Sequence, residues 1–328
     1  MNRRSCSILL ALGFALIACL PTMTPVAAQT PTTEDPLQVV ASFSILGDLV
    51  KNVGGDAVEV TTLIGPGVDA HTYDPAPSDL VVLSKADVIF ENGLGFEPWL
   101  DRFFASAQPS GARVVVTEGI TPREAGAGDA HEGEAQLEED GDAHEHGQFD
   151  PHVWHDVANV IIMVGNIRDA LVAADPARAE LYKANAAAYI AKLEALDASI
   201  REQIGTLPEE RRKLVTSHDT FGYFADAYGF EVLGTALSSI STEAGDPSAR
   251  DIATLITQIE EAGVPAIFAE NVANPDLMES IAAEAGVALA PTLYTDALGP
   301  AGSPGETYIG MMRSNVTTIV DALSGDRG

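Results

Sequence analysis

Four of the seven histidines in this chain are packed between His144 and His155, in the run HEHGQFDPHVWHD, and two more stand apart, His71 in GVDAHTYDP and His218 in TSHDTFGYF. Neutral imidazole is a ligand for transition metals, and histidines drawn from distant segments of a chain rich in carboxylates have the makings of such a site. A closed tetrahedral site needs a fourth donor. Asp296, in APTLYTDALGP after the last strand-like run, holds a suitable position, with Glu270 and Glu243 as alternatives. Within DPHVWHD, His152 and His155 are three residues apart, close enough on a helical turn to compete for one ion.

These residues must be positioned by loops at the ends of strands. From Leu37 onward, short β-branched runs alternate with amphipathic stretches: LQVVASF, ILGDLVKNVG, VEVTTLI, SDLVVLSKA, DVIFENG. The alternation resumes after Lys213 with KLVTSH, TFGYFADAYG, FEVLGTAL and onward. Strand and helix in regular alternation predict two α/β lobes, each with a parallel sheet flanked by helices. In such sheets ligands collect beyond the carboxyl ends of strands, where His71 and His218 fall. His71 and His152 belong to the first lobe and His218 to the second, so an ion held by all three would bridge the lobes.

The stretch 176–205 has no internal glycine or proline, opens on Pro176 and closes on Gly205, which predicts one long rigid helix joining the lobes. The chain thus divides into a signal segment (1–28), a first lobe (29–175), the connecting helix (176–205) and a second lobe (206–328). One segment breaks the alternation. Residues 121–150 are rich in Gly, Ala, Asp, Glu and His and poor in large apolar side chains, as an exposed acidic loop would be. Its His131, His144 and His146 could serve as a metal-capture arm.

The first 28 residues carry Arg3 and Arg4, an apolar run from Ile8 to Leu20 and small residues at 26–28, the pattern of a secretory signal peptide cleaved after Ala28. Leu16-Ile17-Ala18-Cys19 competes with that reading as a lipobox that would place a lipid on Cys19. The only cysteines are Cys6 and Cys19, so release after Ala28 leaves nitrogen and oxygen as the sole metal donors. No later segment reads as a membrane span. A formal charge of −30, from 18 basic and 48 acidic residues, excludes a nucleic-acid partner, which needs a basic surface.

The segments GVDAHTYDPAPSD, DPHVWHD, SHDTFGYFADAYG and LYTDALGP, in this order and around a central helix, resemble the solute-binding proteins of bacterial zinc and manganese ABC importers. Within that group (cluster A-I) they look like the zinc branch, the ZnuA-like and AztC-like proteins, from about Val39 to the C-terminus. The resemblance implies His71, His152, His218 and Asp296 as metal ligands, with His152 preferred over His155 on the DPHxW match. His155 stands where such proteins more often carry an apolar residue. It also implies Zn2+ as the transported ion, an inner-membrane ABC permease as partner, room for a periplasmic zinc metallochaperone, a monomeric state and a periplasmic location.

Ligand type supports zinc separately, because three imidazoles and one carboxylate suit a borderline ion whereas manganese favours more carboxylates. The manganese branch places a glutamate where this chain has His218. Asp74, Asp156 and Asp219 are near enough in sequence to orient the imidazoles, and Trp154 and Tyr223 to pack around them. Rival readings are a metal-binding adhesin or manganese-type protein on the same fold, and a zinc hydrolase. The chain has no HExxH helix and no GxSxG elbow, so no enzyme is expected.

Overall fold

The computed structural model describes residues 35–125, 149–237, 239, 241–242 and 247–325. The signal and lipobox segment, His131, His144 and His146, and Glu243 lie outside the described residues.

The first lobe is built from β1 (Leu37–Phe43), α1 (Ser44–Gly54), β2 (Val58–Ile64), α2 (Pro77–Lys85), β3 (Val88–Glu91), α3 (Leu100–Ala107) and β4 (Ala112–Val115). All four strands are parallel, in the order β2-β1-β3-β4. β1 and β3 are apolar runs buried nearly throughout, as strands covered by helices on both faces must be. Chain order reverses between β1 and β3, which opens a crevice at their carboxyl ends.

Two helices follow. α4 (Val157–Ala174) starts on Asp156, whose carboxylate accepts the Ala158 N–H at 2.8 Å, so Asp156 is a helix cap and not an imidazole partner. By length and composition α4 could cross a membrane, with 18 residues at a mean hydropathy of 1.5, contrary to the expectation that no later segment would. Its apolarity is that of a core helix: Val160, Met163, Val164, Ile167 and Leu171 are buried where it packs on α1, β3 and β4.

α5 (Ala179–Ile204) is the expected long helix, 26 residues or about 39 Å at 1.5 Å per residue. It begins three residues later than its proline suggested, because Pro176–Arg178 forms a 3-10 turn. There Asp175 accepts from the Tyr182 hydroxyl at 2.9 Å and pairs with Arg178, which tightens the entry. α5 packs against α4 and α1 on the first lobe and against the C-terminal helix α9, named below.

The second lobe contains β5 (Lys213–Thr216), α6 (Gly222–Tyr228), β6 (Glu231–Thr235), α7 (Ala249–Ala262), β7 (Ala266–Glu270), α8 (Asp276–Ala285), β8 (Ala288–Leu293) and α9 (Tyr308–Ser324). β5 pairs with β6 and β7 with β8, both in parallel, and β5 lies beside β7. α7 has a capping box, with Ser248 accepting the Asp251 N–H and Asp251 accepting the Ser248 N–H, and it stops at Gly263 in the left-handed conformation (φ 62°). One large core runs from the first sheet through Trp154 and α5 to Tyr308 and Met311 on α9. A smaller one lies under α7 and α8, around Val215, Ile259, Ile267 and Ile281.

Candidate metal centre

Four chain segments deliver one polar cluster. His71 sits in the loop after β2, where its N–H donates to Asp69 Oδ1 at 2.9 Å. His152 precedes the 3-10 turn Val153–His155. His218 lies two residues beyond β5, and Asp296 three residues beyond β8. One donor atom from each of the four lies within 4.8 Å of the other three. His152, His218 and Asp296 are fully buried, and His71 is 8% exposed.

The spacing inside this cluster matches a shared ion. His71 Nε2 lies 3.3 Å from His152 Nε2 and 3.3 Å from Asp296 Oδ2, and His218 Nε2 is 3.2 Å from Asp296 Oδ2. His152 Nε2 is 3.6 Å from Asp296 Oδ1. Four donors about 2.0–2.1 Å from a tetrahedral zinc would stand about 3.3–3.4 Å apart. Among the described residues, His218 Nε2 and Asp296 Oδ2 are buried and paired only within this cluster.

Two of the imidazoles are fixed by carboxylates that sequence reasoning assigned otherwise. Asp150 Oδ1 accepts the His152 backbone N–H at 3.0 Å and lies 2.8 Å from His152 Nδ1, which leaves Nε2 free to face the cluster. Asp150 is held in turn by Arg123 and by Tyr223, whose hydroxyl donates to the Asp150 carbonyl and accepts the Arg123 N–H. Glu270 at the end of β7 touches His218 Nδ1 through Oε2, while its Oε1 accepts the Ser217 and His218 N–H groups at 2.7 and 3.0 Å. It is therefore the partner of a cluster member and not a fourth donor. Asp74 is exposed, and Asp219 is half-buried with its N–H on the Ser239 carbonyl.

Burial alone would lower the proton affinity of His218, but the Glu270 and Asp296 carboxylates outweigh it and raise the pKa well above the ordinary value. For Asp296 burial raises the pKa, but His218 and His152 overcome it and hold the group well below the usual carboxylate range. These opposed shifts describe a metal-free site held together by its own charges.

The walls are aromatic. Phe96 packs its ring against His71 and His152, with centroids 5.2 and 6.1 Å apart. Its loop is folded around buried Glu97, which accepts from the Ser42 hydroxyl and from the N–H groups of Asn92 and Gly93. Burial, with Glu91 nearby, pushes the Glu97 carboxyl up to about 7. Trp154 is fully buried and its indole N–H donates to the Thr295 carbonyl at 3.0 Å, beside Asp296. His155 points away from the cluster. Its ring stacks on Phe221 at 4.6 Å and its Nε2 lies 3.2 Å from Thr220 Oγ1, while burial foremost, with His152 adding, pushes its pKa down to about 3.

Residues 39–322 match the family profile of ZnuA, the zinc-uptake complex component A, periplasmic. Among similar proteins is the manganese-binding lipoprotein MntA of Halalkalibacterium halodurans, 40% identical over 301 residues that cover 91% of this chain and 93% of that one. The iron-binding protein YfeA of Yersinia pestis is 36% identical, covering 88% and 86%. The structure of the periplasmic zinc-binding protein TroA from Treponema pallidum superposes with a TM-score of 0.76 at 35% identity, covering 88% of this chain and 99% of that one. Three relatives thus carry the names of three different metals.

Proposed function

This chain belongs to the ZnuA family of periplasmic metal-binding proteins, the solute-binding components of ABC importers and not enzymes, and from that premise we propose that its cargo is zinc. The proposed ligands are His71, His152, His218 and Asp296. The observation that carries this reading is the donor set with its spacing. Three imidazoles and one carboxylate at 3.2–3.6 Å suit a four-coordinate borderline ion, whereas manganese favours more oxygen donors.

The mechanism is capture and release without a chemical step. Neutral imidazoles and the Asp296 carboxylate take the ion, and the protons they would otherwise carry leave on binding. The ion is then passed to an inner-membrane ABC permease. A monomer, a periplasmic metallochaperone as donor, and lobes at 29–175 and 206–328 joined by 176–205 belong to the same proposal. The lipoprotein name of the relative MntA adds weight to the lipobox, so we read Cys19 as the anchor point in preference to release after Ala28.

Competition between Zn2+, Mn2+ and Fe2+ for the purified metal-free protein tests the cargo. Zinc is expected to win by about 100-fold or more over manganese, in line with the general affinity order for nitrogen-rich sites. Asp296→Ala should weaken zinc while leaving a measurable three-histidine site, and His155→Ala should leave the number of bound ions unchanged. Preference for manganese or ferrous iron would overturn the zinc reading and favour the metals named for MntA and YfeA.

A further inference from the structure

Asp296 is held asymmetrically. Its Oδ2 faces His71 and His218, while its Oδ1 lies 3.6 Å from His152 Nε2 and nearer, at 3.4 Å, to Thr220 Oγ1, and that hydroxyl is 3.2 Å from His155 Nε2. All three residues are fully buried. The hydroxyl has a single proton to give. An ionised carboxylate can only accept, and leaving a buried charged acceptor without a donor costs more than leaving a neutral one.

If His155 carried its proton on Nδ1, Nε2 and Asp296 Oδ1 would compete for the one Thr220 proton and one of the two buried acceptors would go without. Among the described residues Nδ1 has no hydrogen-bond partner, so that arrangement would also leave a buried N–H unpaired. The other tautomer donates from His155 Nε2 to Thr220 and from Thr220 to Asp296 Oδ1. Only this order satisfies both contacts of the hydroxyl and supplies the charged oxygen at the same time.

We propose that His155 and Thr220 are a positioning pair that determines metal specificity, by occupying Asp296 Oδ1 so that the carboxylate offers the ion one oxygen. The inference rests on the ligand set proposed above. A carboxylate free to swing both oxygens onto the ion adds a fifth donor, which suits the larger coordination numbers and oxygen preference of manganese and ferrous iron. A carboxylate with one oxygen tied back keeps the site at four donors. The bonds in the relay are long, so its role is to choose between two carboxylate orientations, not to add strength.

The test loads Co2+ into the protein and into Thr220→Val, Thr220→Ser, His155→Phe and Asp296→Ala, and reads visible absorption together with the zinc-to-manganese affinity ratio. Four-coordinate Co2+ absorbs several-fold more strongly than five-coordinate Co2+. Thr220→Val and His155→Phe should lose intensity and lower the zinc-to-manganese ratio by about tenfold, the lower end of effects through a ligand's partner, whereas Thr220→Ser should keep both. Unchanged spectra and ratios in Thr220→Val and His155→Phe would overturn the specificity role while leaving the ligand set intact. A spectrum unchanged in Asp296→Ala would instead sink the ligand assignment, and this inference with it.

Discussion

His218→Ala is expected to abolish tight zinc capture and to destabilise the metal-free fold by about 3 kcal/mol near neutral pH, the lower end of the cost of breaking a buried ion pair. The side chain is fully buried between two carboxylates, Glu270 on Nδ1 and Asp296 on Nε2. Without it Glu270 loses its imidazole and Asp296 keeps only His71 and His152, though Glu270 retains the Ser217 and residue-218 N–H groups and the Thr295 hydroxyl, which limits the loss.

The pH dependence has a definite sign. His218 has a folded pKa raised above its unfolded value, so its stabilisation of the metal-free protein is full below about pH 6.5 and fades as pH rises through the higher folded pKa. The stability gap between the parent and His218→Ala should therefore narrow on going from about pH 6 to about pH 9. Zinc must displace the same proton, so affinity should rise with pH and proton release should appear in calorimetry run in buffers of different ionisation enthalpy. Denaturant titrations of the two metal-free proteins that show a constant gap across that range would contradict the charge balance described for the site.

Trp154→Ala is expected to cost about 3–5 kcal/mol of stability and, separately, to weaken zinc binding by about 10- to 100-fold. Its ring packs on Phe43, Phe96, His152 and His155, with centroids 5.0, 4.9, 5.4 and 5.9 Å away. Its backbone carbonyl accepts from the Tyr308 hydroxyl on α9 at 2.8 Å, and its indole N–H holds Thr295 in place next to Asp296. Loss of the ring would remove a wall from His152 and a tether from the Asp296 loop at once. Trp154→Phe, which keeps a ring but not the indole N–H, should recover most of the stability and less of the affinity. Equal recovery of both would show that the Thr295 tether does nothing for the ion.

The alternation of strands and helices was legible because parallel strands covered on both faces must be continuous β-branched runs, as VVASF and VIF are. Three of the four cluster residues were legible as histidines beside strand ends, and Asp296 as an acid just after the last strand-like run. The partners of the imidazoles were harder. Glu270 ends the buried run PAIFAE, where an acid after a strand reads as an alternative fourth donor. In the folded chain that end is covered by β5 and its backbone donors. Asp150 was within reach of the argument, two residues before His152, but Asp-Pro reads as a turn and the sequence shows neither Arg123 nor Tyr223 closing on it. Asp74, close to His71 along the chain, is exposed.

The burial of the cluster sets a direction of traffic. Three of the four proposed ligands have no contact with solvent, and His71 is 8% exposed, on a loop tied down through Asp69 to Thr72 and Thr242. His71 is thus the one of the four through which the cluster meets solvent, and the residence time of an ion is expected to follow how often that loop side chain swings aside. Thr242→Ala should then speed the loss of zinc to an external chelator with little change in the number of ions held. An unaltered rate would place the barrier to exit elsewhere.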